Sequence, residues 1–209
     1  ADKNIVKQRV ERAATLNGLV PKIISKTDNF YSYEYAKGDL YSKVANPVNI
    51  KQLLDWTNKH LWQTKQSVSN DKTFYYEKTY KRLDSFYSKT HTIDGIDTIN
   101  GAVVPPVSEL LSSIGSEYLC KTEQTGFHGD FILDNIILGD AGFVLLDWRQ
   151  NFGGLIESGD MYYDLAKLNH NLVVNHEIVS NNLFSVSKIK DKISVDIHRR
   201  QSLIDCQQT

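Results

Sequence analysis

Phe127-His128-Gly129-Asp130-Phe131-Ile132-Leu133-Asp134-Asn135-Ile136-Ile137-Leu138 is followed, one short turn later, by Phe143-Val144-Leu145-Leu146-Asp147-Trp148-Arg149. Together they set out a His-x-Asp, an Asn five residues after that Asp, and a second Asp closing an apolar run. The apolar runs flank Gly139-Asp140-Ala141-Gly142, a turn-forming connection, so a β-hairpin is predicted here. Phosphoryl transfer from ATP needs one carboxylate to orient and deprotonate a hydroxyl. It also needs an Asn and a further carboxylate to hold magnesium on the phosphates. All three residue types stand in that order.

Composition narrows the field. The 209 residues are 41% hydrophobic and 11% aromatic, enough for one core or two small lobes. A formal charge of -1, from 24 basic and 25 acidic residues, provides no field to hold a nucleic-acid backbone or an anionic membrane, so neither partner is expected. Cys120 and Cys206 lie far apart and outside any zinc or redox spacing, which favours a reducing compartment. No apolar run reaches the roughly 18 to 20 residues that span a bilayer, and Ala1-Asp2-Lys3-Asn4 is too polar for a signal peptide. A cytoplasmic location is expected.

Periodicity orders the rest. Ile5, Val6, Val10, Ala13, Ala14 and Leu16 form a helical stripe over 4–19, ended by Gly18, and strands are predicted at 21–25 and 29–35. Ala36-Lys37-Gly38-Asp39 breaks that pattern and places a boundary between a partial small lobe, 1–36, and a large lobe, 37–209. Asn46-Pro47 is an N-cap with proline at the first helical position, opening a helix with Ile50, Leu53, Leu54 and Leu61 on one face to about residue 68. Asp71 can cap the next helix, with Tyr76, Tyr80, Leu83 and Tyr87 on its face. Residues 92–106, with two glycines and two prolines, read as loop, and Val107 to Tyr118 as a third helix. Asp160 opens a helix with Met161, Leu165, Leu168 and Leu172 inward, and 183–189 with 193–197 alternate as an exposed hairpin.

Asp130 is the candidate catalytic base, although an Asp after Gly serves equally to cap loop N–H groups. Asn135 offers magnesium a neutral, hard oxygen, or else is a turn residue, and Asp147, fixed by the strand before it, can bridge the metal to phosphate. His128 is expected to hold the loop's shape by hydrogen bonds, and Asp134 to be a surface or turn residue. Lys78, Lys81 and Arg82 share one helical neighbourhood and could bind an acidic substrate. Glu77 and Lys81 at i,i+4 also fit a solvated, charge-paired face. Arg149 is a further candidate for a phosphate or substrate carboxylate.

Residues 126–170 resemble the core of the aminoglycoside phosphotransferase and choline kinase-like enzymes, which share the protein-kinase fold. The resemblance rests on His128-Gly129-Asp130 with Asn135, on the Asp147 segment, and on Gly159-Asp160-Met161-Tyr162-Tyr163-Asp164-Leu165-Ala166. More narrowly, Tyr162 to Lys167 and the Lys78 to Arg82 segment are similar to phosphotransferase-like domains of bacterial surface-polysaccharide biosynthesis proteins. The resemblance implies an α+β, protein-kinase-like fold with a mostly helical large lobe and a catalytic hairpin, preceded by a partial small lobe of one helix and two strands. It implies that Asp164 is a buried brace for the catalytic loop. It makes Glu34-Tyr35-Ala36 the hinge whose backbone pairs with adenine.

The pattern is incomplete. A small lobe should begin with a glycine-rich loop and a strand lysine that grips the phosphates and pairs with a helix Glu. Glu11 is a candidate for that acid, or else a solvated helix residue, while Lys3 and Lys7 lie too early to be the strand lysine. The C-terminus is expected to stop short of the helices that complete the large lobe. The expected activity is ATP- and Mg2+-dependent transfer of the γ-phosphate to a hydroxyl of a sugar, an aminoglycoside-like molecule or an amino alcohol. A catalytically impaired pseudokinase or nucleotide-binding module is the alternative. A metallophosphatase would use His128 and Asp130 as ligands, but Asp196-Ile197-His198 follows them in the wrong order and Asn175-His176-Glu177 lacks a second His.

Overall fold

The structure, a computed structural model, describes residues 2–16, 18–66, 72–121, 123–190 and 192–209. Asp71, expected to cap a helix, lies outside the described residues, as does Asp191 between the two strands expected at 183–189 and 193–197. The chain is a mixed α+β protein. In chain order it forms α1 (Lys3–Thr15), β1 (Ile23–Lys26), β2 (Tyr31–Tyr33), β3 (Asp39–Leu40), α2 (Tyr41–Val44), α3 (Pro47–His60) and β4 (Thr64–Gln66). Next come α4 (Lys72–Thr90), β5 (Asp97–Ile99), β6 (Ala102–Val104), α5 (Val107–Ile114) and α6 (Ser116–Cys120). Then follow β7 (Gln124–Thr125), a 3-10 turn (Leu133–Asn135), β8 (Ile136–Gly139), β9 (Gly142–Leu145) and α7 (Met161–Val173). The chain closes with α8 (His176–Ser180), β10 (Phe184–Ile189), β11 (Lys192–Ile197) and α9 (Gln201–Gln208).

Two compact units result. The first comprises Ala1–Val68, Glu123–His176 and Arg199–Thr209, and the second Ser69–Thr122 and Glu177–His198. The boundary expected at 36/37 falls inside the first unit.

In the first unit, β3 pairs antiparallel with β8, and β8 with β9 through Ile136↔Leu145 and Ile137↔Val144. The inward positions of this sheet join one core, in which Tyr41, Ile50, Leu53, Phe131, Leu133, Ile136, Leu145, Trp148, Leu168 and Leu203 are buried. Each such side chain contributes about 1.5–3 kcal/mol relative to exposure. The Asn46 side chain accepts from Val48 N and Asn49 N, and Asn49 returns the bond to Asn46 N, so the expected cap of α3 is a reciprocal one. That helix stops at His60 rather than near 68. Leu61 N and Trp62 N both close on Thr57 O, the Trp62 indole turns inward, and the chain runs on as β4 against β7. α9 packs Leu203 and Cys206 into the core, and Arg199 and Arg200 donate to the carbonyls of Leu172, Ser42 and Lys43.

The second unit corrects three sequence expectations. Residues 92–106 are not all loop, because β5 and β6 form a hairpin around Asn100 (φ 50°) and Gly101 (φ 83°). Asn-Gly favours this turn, since both central residues need positive φ. The helix expected over 107–118 is broken at Gly115 (φ 77°) into α5 and α6. The C-terminal hairpin is not free-standing: β11 pairs with β10 and also, in parallel, with β5, in a sheet of order β10-β11-β5-β6. Only β10 stays exposed along its length.

Candidate active site

The segment 127–130 lies over the buried start of α7. Asp160 caps that helix by accepting Tyr162 N at 2.8 Å, which sets Asp164 one turn in and facing the core. Asp164 is fully buried and accepts three hydrogen bonds: His128 N at 2.7 Å, Gly129 N at 2.7 Å and Trp62 Nε1 at 3.1 Å. Burial pushes its carboxyl up to about 6, against the pull of those donors and of the Arg12 charge.

His128 is buried beside it. Its Nδ1 accepts Asp130 N at 3.2 Å, so Nε2 carries the proton and donates to Leu146 O at 2.9 Å. Burial and the nearby Arg12 charge hold this imidazole neutral, down to about 3. With both ring nitrogens engaged inside the protein, His128 has no lone pair to offer a metal.

Leu146 is the joint of the site. Its carbonyl takes His128, and its N–H donates to Asn135 O at 2.8 Å. One residue on, Asp147 adopts φ 51°, a left-handed conformation in which Asp is one of the few tolerated side chains. Asn135 Nδ2 in turn donates to Asp130 O at 2.9 Å. Asp130, Asn135 and Asp147 are thus tied through one short network, in which the main-chain bond from Leu146 N to Asn135 O is joined by bonds from the Asn135 and His128 side chains to main-chain carbonyls. Among the described residues, Asn135 Oδ1 and Asp147 Oδ2 take no hydrogen bond.

Each carboxylate already faces a cation. Asp130 Oδ1 meets Lys167 Nζ at 2.7 Å and Oδ2 meets Arg149 Nη2 at 3.1 Å. Partial burial pushes the Asp130 carboxyl up, but the Lys167 hydrogen bond and the charges of Arg149 and Lys167 outweigh it and leave the group below its usual range. Asp147 Oδ1 meets Arg9 Nη1 at 2.5 Å. The Arg9 carbonyl accepts Trp148 Nε1 at 2.9 Å.

Arg9, Arg12 and Lys167 escaped the sequence reading. Arg12 is 1% exposed, its Nε donates to Ile156 O at 3.1 Å, its Nη1 to His128 O at 3.2 Å, and its fork also donates to Phe127 O and Arg149 O. Its carbon Cζ stacks 3.6 Å from the Phe127 ring centre. Burial lowers this guanidinium to about 9, against the attraction of Asp164, so it stays charged at neutral pH. The available signal was its position: Val6, Arg9, Arg12 and Leu16 recur at helical spacing, and two cations within a buried stripe need internal partners.

Glu34, Tyr35 and Ala36 leave β2 along a groove of about 680 Å3 that is also lined by Val10, Ala13, Ile23 and Val144. Glu34 N is used by Lys22 O at 2.9 Å, whereas Tyr35 and Ala36 make no main-chain hydrogen bond to a described residue. Glu11 lies on the exposed side of α1, 3.9 Å from Lys7. Lys78 and Arg82 lie on α4 of the second unit, where Lys78 Nζ sits 4.5 Å from the Phe74 ring centre and Glu77 pairs with Lys81 at 4.0 Å. Asp134 sits in the 3-10 turn, 3.1 Å from His176 Nδ1.

Among the described residues, no group of three or more His, Cys, Asp or Glu side chains is placed to hold a metal, and no helix is long and apolar enough to cross a membrane. Asn135 and Asp147 carry one amide and one carboxylate oxygen without a hydrogen bond to a described residue, both of the hard type that suits magnesium. Comparison of the chain with family models, curated proteins and solved structures finds no match.

Proposed function

We propose that this chain is an ATP- and magnesium-dependent phosphotransferase of protein-kinase-like fold, moving the γ-phosphate to a hydroxyl of a small molecule such as a sugar or an amino alcohol. The observation that carries this reading is the joint at Leu146. It ties the two partner-free oxygens of Asn135 and Asp147 to the loop that bears Asp130. A nucleotide fits the groove beside 34–36, where the main chain at Tyr35 and Ala36 offers unused donors and acceptors. The narrower resemblance points to surface-polysaccharide biosynthesis, and a need for ATP agrees with a cytoplasmic location.

In this reading Asp130 orients the attacking hydroxyl and accepts its proton, with the loop held from below by Asp164 and His128. Asn135 and Asp147 would hold magnesium, which would supply positive charge against the phosphates. Arg9 holds Asp147 in orientation through Oδ1. Catalysis then rests on positioning and charge stabilisation of a loose transition state.

The test is paired. Asp147→Ala should weaken magnesium-dependent ATP binding by about tenfold or more. Asp130→Asn should leave binding intact and lower phosphoryl transfer by about 10²–10⁴-fold. Wild-type chain that binds no nucleotide in the presence of magnesium would overturn the reading. A nucleotide-binding module is the second reading, favoured by the two cations already seated on Asp130. Retained binding with no turnover on any hydroxyl would select it.

A further inference from the structure

We propose that Arg149 and Lys167 form an anion clamp beside Asp130, so that the acceptor hydroxyl is carried by a molecule with its own phosphate or carboxylate group. This rests on the phosphotransferase reading and names its substrate class. The first argument is charge. The pairs Arg149–Asp130, Lys167–Asp130 and Arg9–Asp147 place three cations against two carboxylates, a surplus of one positive charge before any metal arrives.

The second argument is construction. Arg149 is rooted at its base, because its N–H donates to His128 O at 3.0 Å and its carbonyl accepts from Arg12. Its Cβ and Cγ occupy the space over Gly129, where an added Cβ would come within 2.6 Å of Arg149 Cβ. The stem is therefore fixed, while the side chain remains 46% exposed. Lys167 follows Asp164 by three residues on α7, so the helix that braces the loop from below also presents this ammonium to Asp130 from the side. An arginine fork and a lysine held over one spot suit the oxygens of a phosphate or carboxylate.

The third argument is chemical. Both Asp130 oxygens already face a cation, so an incoming hydroxyl competes with Arg149 and Lys167 for them. An anionic acceptor that draws Lys167 and Arg149 onto itself frees an Asp130 lone pair at the moment the hydroxyl arrives. The clamp thereby couples binding of the right acceptor to activation of the base.

Calorimetric titration of inorganic phosphate and of acetate tests this. The full chain is first saturated with magnesium and a non-hydrolysable ATP analogue, as wild type, Lys167→Met and Arg149→Met. One of the two anions should bind wild type in the millimolar range and each variant about tenfold more weakly, while affinity for the analogue changes by less than about threefold. Phosphate binding alone assigns a phosphorylated acceptor, and acetate binding alone a carboxylated one. The clamp is overturned, and the phosphotransferase reading left standing, if neither anion binds or if both variants bind like wild type. The same holds if binding is seen only when ADP replaces the analogue, since the anion then occupies the γ-phosphate position. A chain that binds no magnesium nucleotide overturns both.

Discussion

Asp164 accepts the backbone N–H of His128 at 2.7 Å across 36 positions of sequence, and the N–H of Gly129 at the same distance. One buried carboxylate thus holds two consecutive amides of the loop that carries Asp130. Because the donors are main-chain groups, no side-chain change elsewhere can replace the acceptor.

Asp164→Ala should accordingly cost about 3–5 kcal/mol, the range for leaving buried polar partners unmatched. Urea unfolding monitored by circular dichroism measures it. A loss below about 1 kcal/mol would mean the loop is held by other contacts.

Acid stability carries two opposing contributions. His128, lowered to about 3 from its ordinary 6.5, contributes stability that is complete above the unfolded value and is lost as pH falls toward 3. Asp164, raised to about 6 from 3.8, contributes stability present below its unfolded value and lost as pH rises through 6. Asp164→Asn removes only the second. The stability gap between wild type and Asp164→Asn should therefore shrink as pH rises from 4 to 6.5, and a gap that widens would show the hydrogen bonds outweighing burial.

Arg12→Met takes the Arg12 donor from three loop carbonyls in a buried site, those of Phe127, Arg149 and Ile156, while His128 O keeps the Arg149 N–H. We expect a loss of about 3–5 kcal/mol in urea unfolding. Arg12→Lys should recover little of it, since an ammonium lacks the planar fork that reaches carbonyls on several sides.

The left-handed backbone at Asp147 separates geometry from charge. Asp147→Asn should keep stability within about 1 kcal/mol, because Asn tolerates this region, whereas Asp147→Val should lose about 2 kcal/mol more. Both should lose magnesium-dependent ATP binding, read by calorimetry. Equal thermal midpoints for the two variants would contradict the backbone argument.

Gly129 combines φ 87° with an approach that leaves no room for a Cβ against Arg149. Gly129→Ala should destabilise by about 2–4 kcal/mol. Gly95→Ala, whose nearest neighbour stands at 4.0 Å, should stay within about 0.5 kcal/mol. Parallel thermal melts of the two variants check the contrast.

The helices with clear caps and apolar stripes were legible in the sequence, and so was the β8–β9 hairpin. Asn46-Pro47 and Asp160 start α3 and α7 where local chemistry says they should, because a cap depends only on residues within one turn. The β5–β6 hairpin carried its own Asn100-Gly101 signal and was obscured by the prolines and glycines around it. The parallel pairing of β11 with β5 had no local signal at all, since it joins residues nearly a hundred positions apart.

By itself, the sequence determined the order and spacing of His128, Asp130, Asn135, Asp147 and Asp164, together with the short-range turns and caps that place each on its element. Only the tertiary structure decided which cation each carboxylate meets: Arg9 for Asp147, Arg149 and Lys167 for Asp130, and Arg12 across the carbonyls beneath them. The physical reason is range. A helix cap or a hairpin turn is settled by neighbours a few residues apart, whereas a buried charge is settled by whatever folding brings to its surface, for Arg12 from as far as 144 positions away.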